Sequence, residues 1–251
     1  MRERTIMSDA PKLPGLPEID VNEYGGKKDG VRQMTNRRLF MQLIVFRAKD
    51  GNALSEIEAE LAKKTDFACV AYVDANDPLG FGLLTWGEDP AVFVDKVRPI
   101  FRSGKLAEVE HRNDFAMMGR TYSTGHEPKL EWTLLERPIE NVTAEKYRWH
   151  VWYPLRRTGA FAKLDPAEQG GILREHASIG FAYGEKELAS DVRLACHGLD
   201  ANDNEFVIGL VGHDLYPLSH LVQTMRKTKQ TSEYISQMGP FFVGRVLFRK
   251  V

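Results

Sequence analysis

Two residues stand out as able to do chemistry, His176 and Tyr153. His176 lies within residues 172–180, ILREHASIG, a single imidazole among aliphatic neighbours at helical spacing. Ile172, Leu173, His176 and Ile179 fall on one face of such a helix. An imidazole there is dehydrated, so it either finds a hydrogen bond in the core or donates a ring nitrogen to a metal. Tyr153 lies within residues 149–159, WHVWYPLRRTG, at a strand end beside Arg156 and Arg157. Two adjacent guanidinium groups suit a substrate bearing carboxylates, through bidentate pairs. The plain alternative is a solvated strand end with a tyrosine that simply packs. Signatures of other enzyme classes are missing. The chain has no G-x-x-x-x-G-K-[ST], no G-x-G-x-x-G after a strand, no H-E-x-x-H and no G-x-S-x-G. Its histidines, at 111, 126, 150, 176, 197, 213 and 220, form no close pair of the kind a zinc site uses.

The elements that hold these residues can be read from periodicity. The helix carrying His176 starts with Asp165 as N-cap, Pro166 as its first residue and Glu168 as the reciprocal partner of a capping box. Gly170 and Gly171 weaken it, by ~1 kcal/mol each relative to alanine. Upstream, the apolar, β-branched run closing at Asp50-Gly51 predicts a strand and a turn. A helix over about 53–64 follows, with Leu54, Ile57 and Leu61 at 3–4 residue spacing. Two strands flank an Asn76-Asp77-Pro78 turn. A second helix begins at Asp89-Pro90 with Val92, Phe93, Val97 and Ile100 inward, and 114–122 closes the unit.

The second half repeats this order. RWHVWYPLRRTG parallels RLFMQLIVFRAKDG, and NEFVIGLVGHDLYPLSHLVQTMRKTK parallels LGFGLLTWGEDPAVFVDKVRPIFRSG. The expected fold class is α+β. It consists of two ferredoxin-like β-α-β-β-α-β repeats of roughly 105–110 residues with antiparallel sheets facing each other, a dimeric α+β barrel. The boundaries are 1–34 for an extended N-terminal arm, 35–143 for the first repeat and 144–251 for the second. If the sheets face each other, the space between them is a natural ligand site.

Composition narrows the partners. The net charge of −1 carries no basic excess for neutralising phosphates, so nucleic acid is not an expected partner. Arg37-Arg38 and 226–229 are local basic runs, read as solvated element ends. Cys69 and Cys196 lie far apart, which excludes zinc-ribbon and thioredoxin-type spacings and points to a reducing, cytoplasmic setting. The N-terminus carries no apolar secretory core, and the most apolar run, 39–46, is far short of the ~20 residues of a membrane span.

One ordered set of segments goes further. YPLRR at 153–157 is followed by His176, 23 positions after Tyr153, then by GLDANDNEFVIGLVGHD at 198–214 and MGPFFVG at 238–244. This set resembles the chlorite dismutase / coproheme decarboxylase family over about 35–251, most strongly over 149–244. The Tyr-to-His interval is similar to that of the actinobacterial-type coproheme decarboxylases. The resemblance implies paired ferredoxin-like units, usually in a ring-shaped homopentamer, with an iron porphyrin (haem b or coproheme) in the second unit. By the same resemblance His176 is the axial ligand to iron. Tyr153 is the tyrosine beside a reactive propionate, oxidised to a radical in the decarboxylases. Arg157 pairs with a propionate, with Arg156 as its neighbouring candidate. Gln230 stands where many members place a glutamate bonded to the axial histidine. The implied activity is hydrogen peroxide-dependent oxidative decarboxylation of coproheme to haem b. A peroxidase-like enzyme and a non-catalytic haem-binding protein are the alternatives. Two departures matter. The distal arginine of chlorite-degrading members, thirteen residues after the histidine, counts to Ala189, with Ser190 and Asp191 next, and the decarboxylase glutamine is absent there too. Without a distal cation chlorite dismutation is disfavoured. The distal histidine base of the actinobacterial type, about 17 residues before the tyrosine, counts to Glu136, next to Arg137, and His126 is the nearest histidine upstream.

Overall fold

The computed structural model describes residues 15–251, so the first part of the expected arm lies outside the described residues. A hairpin of β1 (Glu23–Lys28) and β2 (Val31–Thr35) comes first. The first repeat holds β3 (Phe40–Arg47), α1 (Gly51–Lys64), β4 (Cys69–Asp74), β5 (Gly80–Gly87), a helix α2 over 91–100, β6 (Glu110–His111) and β7 (Met117–Arg120). A helix α3 over 130–143 leads to the second repeat. That repeat holds β8 (Trp149–Arg157), a short α4 (Gly159–Ala162), α5 (Pro166–Glu185), β9 (Ser190–Ala195), β10 (Phe206–Gly212), α6 (Leu215–Met225), β11 (Ile235–Met238) and β12 (Phe242–Lys250). The duplicated β-α-β-β-α-β order is as expected, and no helix among the described residues is long and apolar enough to cross a membrane.

The first sheet runs β7-β3-β5-β4 and the second β12-β8-β10-β9, all antiparallel. The two sheets join edge to edge. β12 pairs with β4 from Gly244↔Asp74 to Lys250↔Cys69, and β7 meets β9 at Arg120↔Ala195. Both edges are thereby used, and the sheet closes into a barrel.

Strand alternation then sorts the side chains. Met41, Leu43 and Val45 point inward, with Tyr72, Trp152, Val192, Leu194 and Phe242. Phe46 points outward under α1 with Ile57 and Leu61. Asp50 caps α1 by accepting from the amides of Asn52 and Ala53, both at 2.9 Å. The interior is packed solid. A Cβ on Gly209 would meet the Trp152 ring at 2.5 Å, and one on Gly82 would meet Phe242 at 2.5 Å. The expectation of ligand space between the sheets is therefore corrected: large aromatic side chains fill it, and a ligand must use the outer faces, beneath the helices.

Order also begins earlier than apolar periodicity indicates. The β1–β2 hairpin is tied down by polar bonds. Glu23 accepts from the amide and hydroxyl of Ser123 and from Arg120, and Gln33 donates to the carbonyls of Gly26 and Glu127. A hydrophobic pattern carries no trace of such ties.

Candidate functional site

The outer face of the second sheet carries the predicted tyrosine. Tyr153 pairs in register with Ile208, and Ile208 pairs with Arg193, so the three form one row across β8, β10 and β9 on one face. Tyr153 is buried and stacks on Phe241, with ring centroids 4.6 Å apart. Burial, with the charge of Asp191 second, pushes its phenol pKa up and keeps it protonated.

α5 lies across this face. Asp165 caps it as expected, accepting from the amides of Ala167 and Glu168 at 2.8 and 2.9 Å. The expected apolar face is not a core stripe, however. Of its twenty residues only Ile172 is buried, and Leu173 is exposed. Ile179 and Tyr183 pack at the margin of the cluster that contains Tyr153. His176 is half-buried, and its Nδ1 is buried with no hydrogen-bond partner. Burial, then the Arg193 charge, lowers its pKa against the opposing carboxylates of Asp191 and Glu175. The ring is therefore neutral, the form that donates to a metal. Gln230 Oε1 is also buried without a partner. The turn that carries it reaches α5 one residue before His176, where the Lys229 amide donates to Glu175 at 3.0 Å. The structure forms no His176–Gln230 hydrogen bond, although both groups are left unsatisfied on neighbouring elements. Among the described residues no three His, Cys, Asp or Glu side chains are arranged to hold a metal ion by themselves. An unpartnered neutral imidazole on α5, within reach of the charges of Arg193 and Asp191 on the sheet, fits an iron porphyrin, which brings its own four nitrogens and takes a further donor from the protein.

The two adjacent arginines separate. Alternation along β8 puts Arg157 on the face of Tyr153 and Arg156 on the other. Arg157 donates from Nε and Nη2 to one oxygen of Glu205, Oε1, at 3.0 and 2.7 Å, and its guanidinium lies 4.6 Å from the ring centroids of both Phe161 and Phe206. Arg156 donates to the Asn202 carbonyl at 2.8 Å, away from the site.

The structure adds residues that counting along the chain missed. The thirteen-residue count ends at Ala189, which is buried in the outer cluster. Four residues on, Arg193 stands in the row of Ile208 and Tyr153. It pairs with Asp191 at 3.2 Å, and Asp191 also accepts from Arg137. Burial opposes the ionisation of Asp191, but the two guanidinium groups hold its carboxyl below the usual range. Glu136 is exposed, while Arg137 beside it reaches in. His126 sits exposed in the loop that holds the β1–β2 hairpin. Tyr122 packs on Phe206 with its phenol raised by burial, and it feels both Arg193 and Arg157. The alternation of β9, with Val192 and Leu194 inward, is the sequence signal that could have placed Asp191 and Arg193 on the outer face.

The comparisons with known proteins agree on architecture. A family model described as chlorite dismutase matches residues 110–247. No curated protein matches the chain in sequence. Among solved structures, a protein provisionally described as a chlorite dismutase aligns with a TM-score of 0.67 at 14% identity, over 84% of this chain and 96% of its own. A haem-binding protein from Thermus thermophilus aligns at 0.61 and 18% identity, over 84% and 92%. The chlorite dismutase of Candidatus Nitrospira defluvii in complex with imidazole aligns at 0.64 and 11% identity, over 84% and 92%. At these identities the likeness establishes the fold.

Proposed function

The chain belongs to the chlorite dismutase family, and from that premise we propose that its second repeat binds an iron porphyrin and converts coproheme to haem b by oxidative decarboxylation with hydrogen peroxide. The observation that carries this reading is the row Tyr153–Ile208–Arg193 on the sheet face that α5 covers with His176. The solved haem-binding neighbour from Thermus thermophilus supports the choice of cofactor.

His176 would hold the iron through its ring, and Gln230, on the turn that meets α5 at Glu175, would be the neutral group nearest to partner that ring, leaving the imidazole less anionic than a glutamate does. When bound, the iron porphyrin supplies the oxidising power drawn from peroxide. Tyr153 keeps its phenolic proton because it is buried, and so delivers and takes back a hydrogen atom without passing through phenolate. Each propionate gives up one hydrogen from its β-carbon and one electron, releases carbon dioxide and leaves a vinyl group. One peroxide and one proton per propionate balance this as two waters. Arg137 and Arg193 hold one carboxylate between them, and the remaining positive charge steers an anionic propionate toward Tyr153. Arg157 is steadied by Glu205 and by the two rings and serves the same end. Family members form homopentamers, and we extend that assembly to this chain.

The test is direct. With purified protein and peroxide, coproheme loses the mass of two carboxyl groups and two hydrogens. Tyr153→Phe abolishes that loss while leaving porphyrin binding intact. Unchanged porphyrin mass with the native protein rejects the reading. A second reading, oxidation of another substrate or breakdown of chlorite, rests on Arg193, a guanidinium in the strand row of Tyr153 and of the charge that an oxyanion leaving group needs. Oxygen release on adding chlorite, lost in Arg193→Ala, decides for it.

A further inference from the structure

We infer that Tyr183 and His220 form a second oxidation site, which carries oxidising equivalents from the proposed porphyrin site to the surface between α5 and α6 and there oxidises small phenolic reductants. This rests on the porphyrin reading of His176 and adds a substrate class to it. Tyr183 lies two helical turns, about 10 Å, along α5 from His176, and so on the same side of the helix. It is half-buried and packs with Ile179 at the margin of the cluster that contains Tyr153. Its hydroxyl is hydrogen-bonded to Nδ1 of His220 on α6, with Thr224 Oγ1 at 3.4 Å. His220 is exposed, and the ring of Tyr216, itself 75% exposed, is centred 5.9 Å from the imidazole. Tyrosine, imidazole and tyrosine thus lead from beneath α5 to water.

Proton placement sets Tyr183 apart. A phenol that loses an electron becomes strongly acidic, so it is oxidised readily where a base stands at hydrogen-bond distance. Among the described residues two tyrosine hydroxyls meet a histidine nitrogen, those of Tyr72 and Tyr183, and Tyr153 is not one of them. Tyr72 is closed inside the barrel, and burial pushes its partner His150 down to about 3, so that imidazole does not keep a proton at neutral pH. His220 faces water, which stabilises the imidazolium that forms there. In the oxidation, Tyr183 gives up one electron toward the His176 end of α5, and its phenolic proton moves to His220 Nδ1. A phenol at the surface returns one electron, the proton moves back, and the phenol's own proton goes to solvent. Two phenols and one peroxide become two phenoxyl radicals and two waters. No propionate is consumed, so this route competes with Tyr153 for the same oxidant.

The experiment loads the full chain with haem b and adds peroxide with a nitroso spin trap. Peptide mass mapping is expected to find the trap on Tyr183, at least tenfold less in His220→Ala. With hydroquinone as the reductant, its oxidation falls at least fivefold in Tyr183→Phe, while coproheme decarboxylation by that variant persists. Porphyrin-free protein gives a readout that needs no turnover. Flash oxidation by a photoexcited ruthenium polypyridyl complex, with persulfate as acceptor, labels Tyr183 and labels it less in His220→Ala. Free imidazole restores the label in that variant, which a merely structural role of His220 does not allow. Protein that takes up no haem removes the porphyrin reading and this inference together. Haem-loaded protein with Tyr183 unlabelled, hydroquinone oxidation undiminished in Tyr183→Phe, or a His220→Ala label indifferent to imidazole overturns this inference alone.

Discussion

His150 shows how much one buried side chain can set. It lies fully inside the barrel, its Nδ1 bonded to the Tyr72 hydroxyl at 2.9 Å. Burial, aided by the Arg249 charge, depresses its pKa from 6.5 to about 3. Between those values the unfolded chain binds a proton that the folded chain refuses. The contribution of His150 to the unfolding free energy is therefore constant above pH ~6.5 and falls as pH drops toward ~3, by up to about 1.4 kcal/mol per pH unit. His111 and His176 are shifted the same way and add to the slope. Urea unfolding of His150→Gln across that window is expected to give a shallower pH dependence than the native protein, by about one proton. His176 is tested separately. His176→Ala is expected to remove the Soret band of haem-reconstituted protein without changing the far-ultraviolet circular dichroism.

At the scale of elements, the two helices that follow the first strand of each repeat have diverged. α1 buries Ile57 and Leu61 against its sheet, whereas α5 buries Ile172 alone. α5 therefore depends more on its own cap and less on packing. Asp165→Ala is expected to cost about 1 kcal/mol of stability and, because the cap fixes the start of the helix that carries His176, to weaken porphyrin binding as well. Denaturant titration and porphyrin titration of the same variant check both. The cap was legible in Asp165-Pro166. The poor burial of α5 was not, because apolar spacing along a helix says which residues share a face and says nothing about what that face meets.

For the whole molecule, the barrel interior is the structural commitment. The Trp152 ring lies where a Cβ on Gly209 would have to go, on a neighbouring strand. Gly209→Ala overfills a rigid core and is expected to cost about 3 kcal/mol, read as a lower urea midpoint with an unchanged slope. Periodicity, capping residues and turn residues act over a few positions, and these alone determined the α+β class, the duplication and the main strands and helices of each repeat, but not the β1–β2 hairpin, α3 or β11. They also marked Tyr153 and His176 as unusual. Which face of the sheets is open was decided only by the tertiary structure. Edge pairing of β12 with β4 and of β7 with β9 closes the barrel, and the aromatic side chains that closure brings together leave no ligand space inside. The same tertiary pairing gathered Arg137, Asp191 and Arg193 beside Tyr153, residues that lie up to 56 positions apart in the chain. Contacts of that kind depend on register between strands remote in sequence, and no local pattern encodes register.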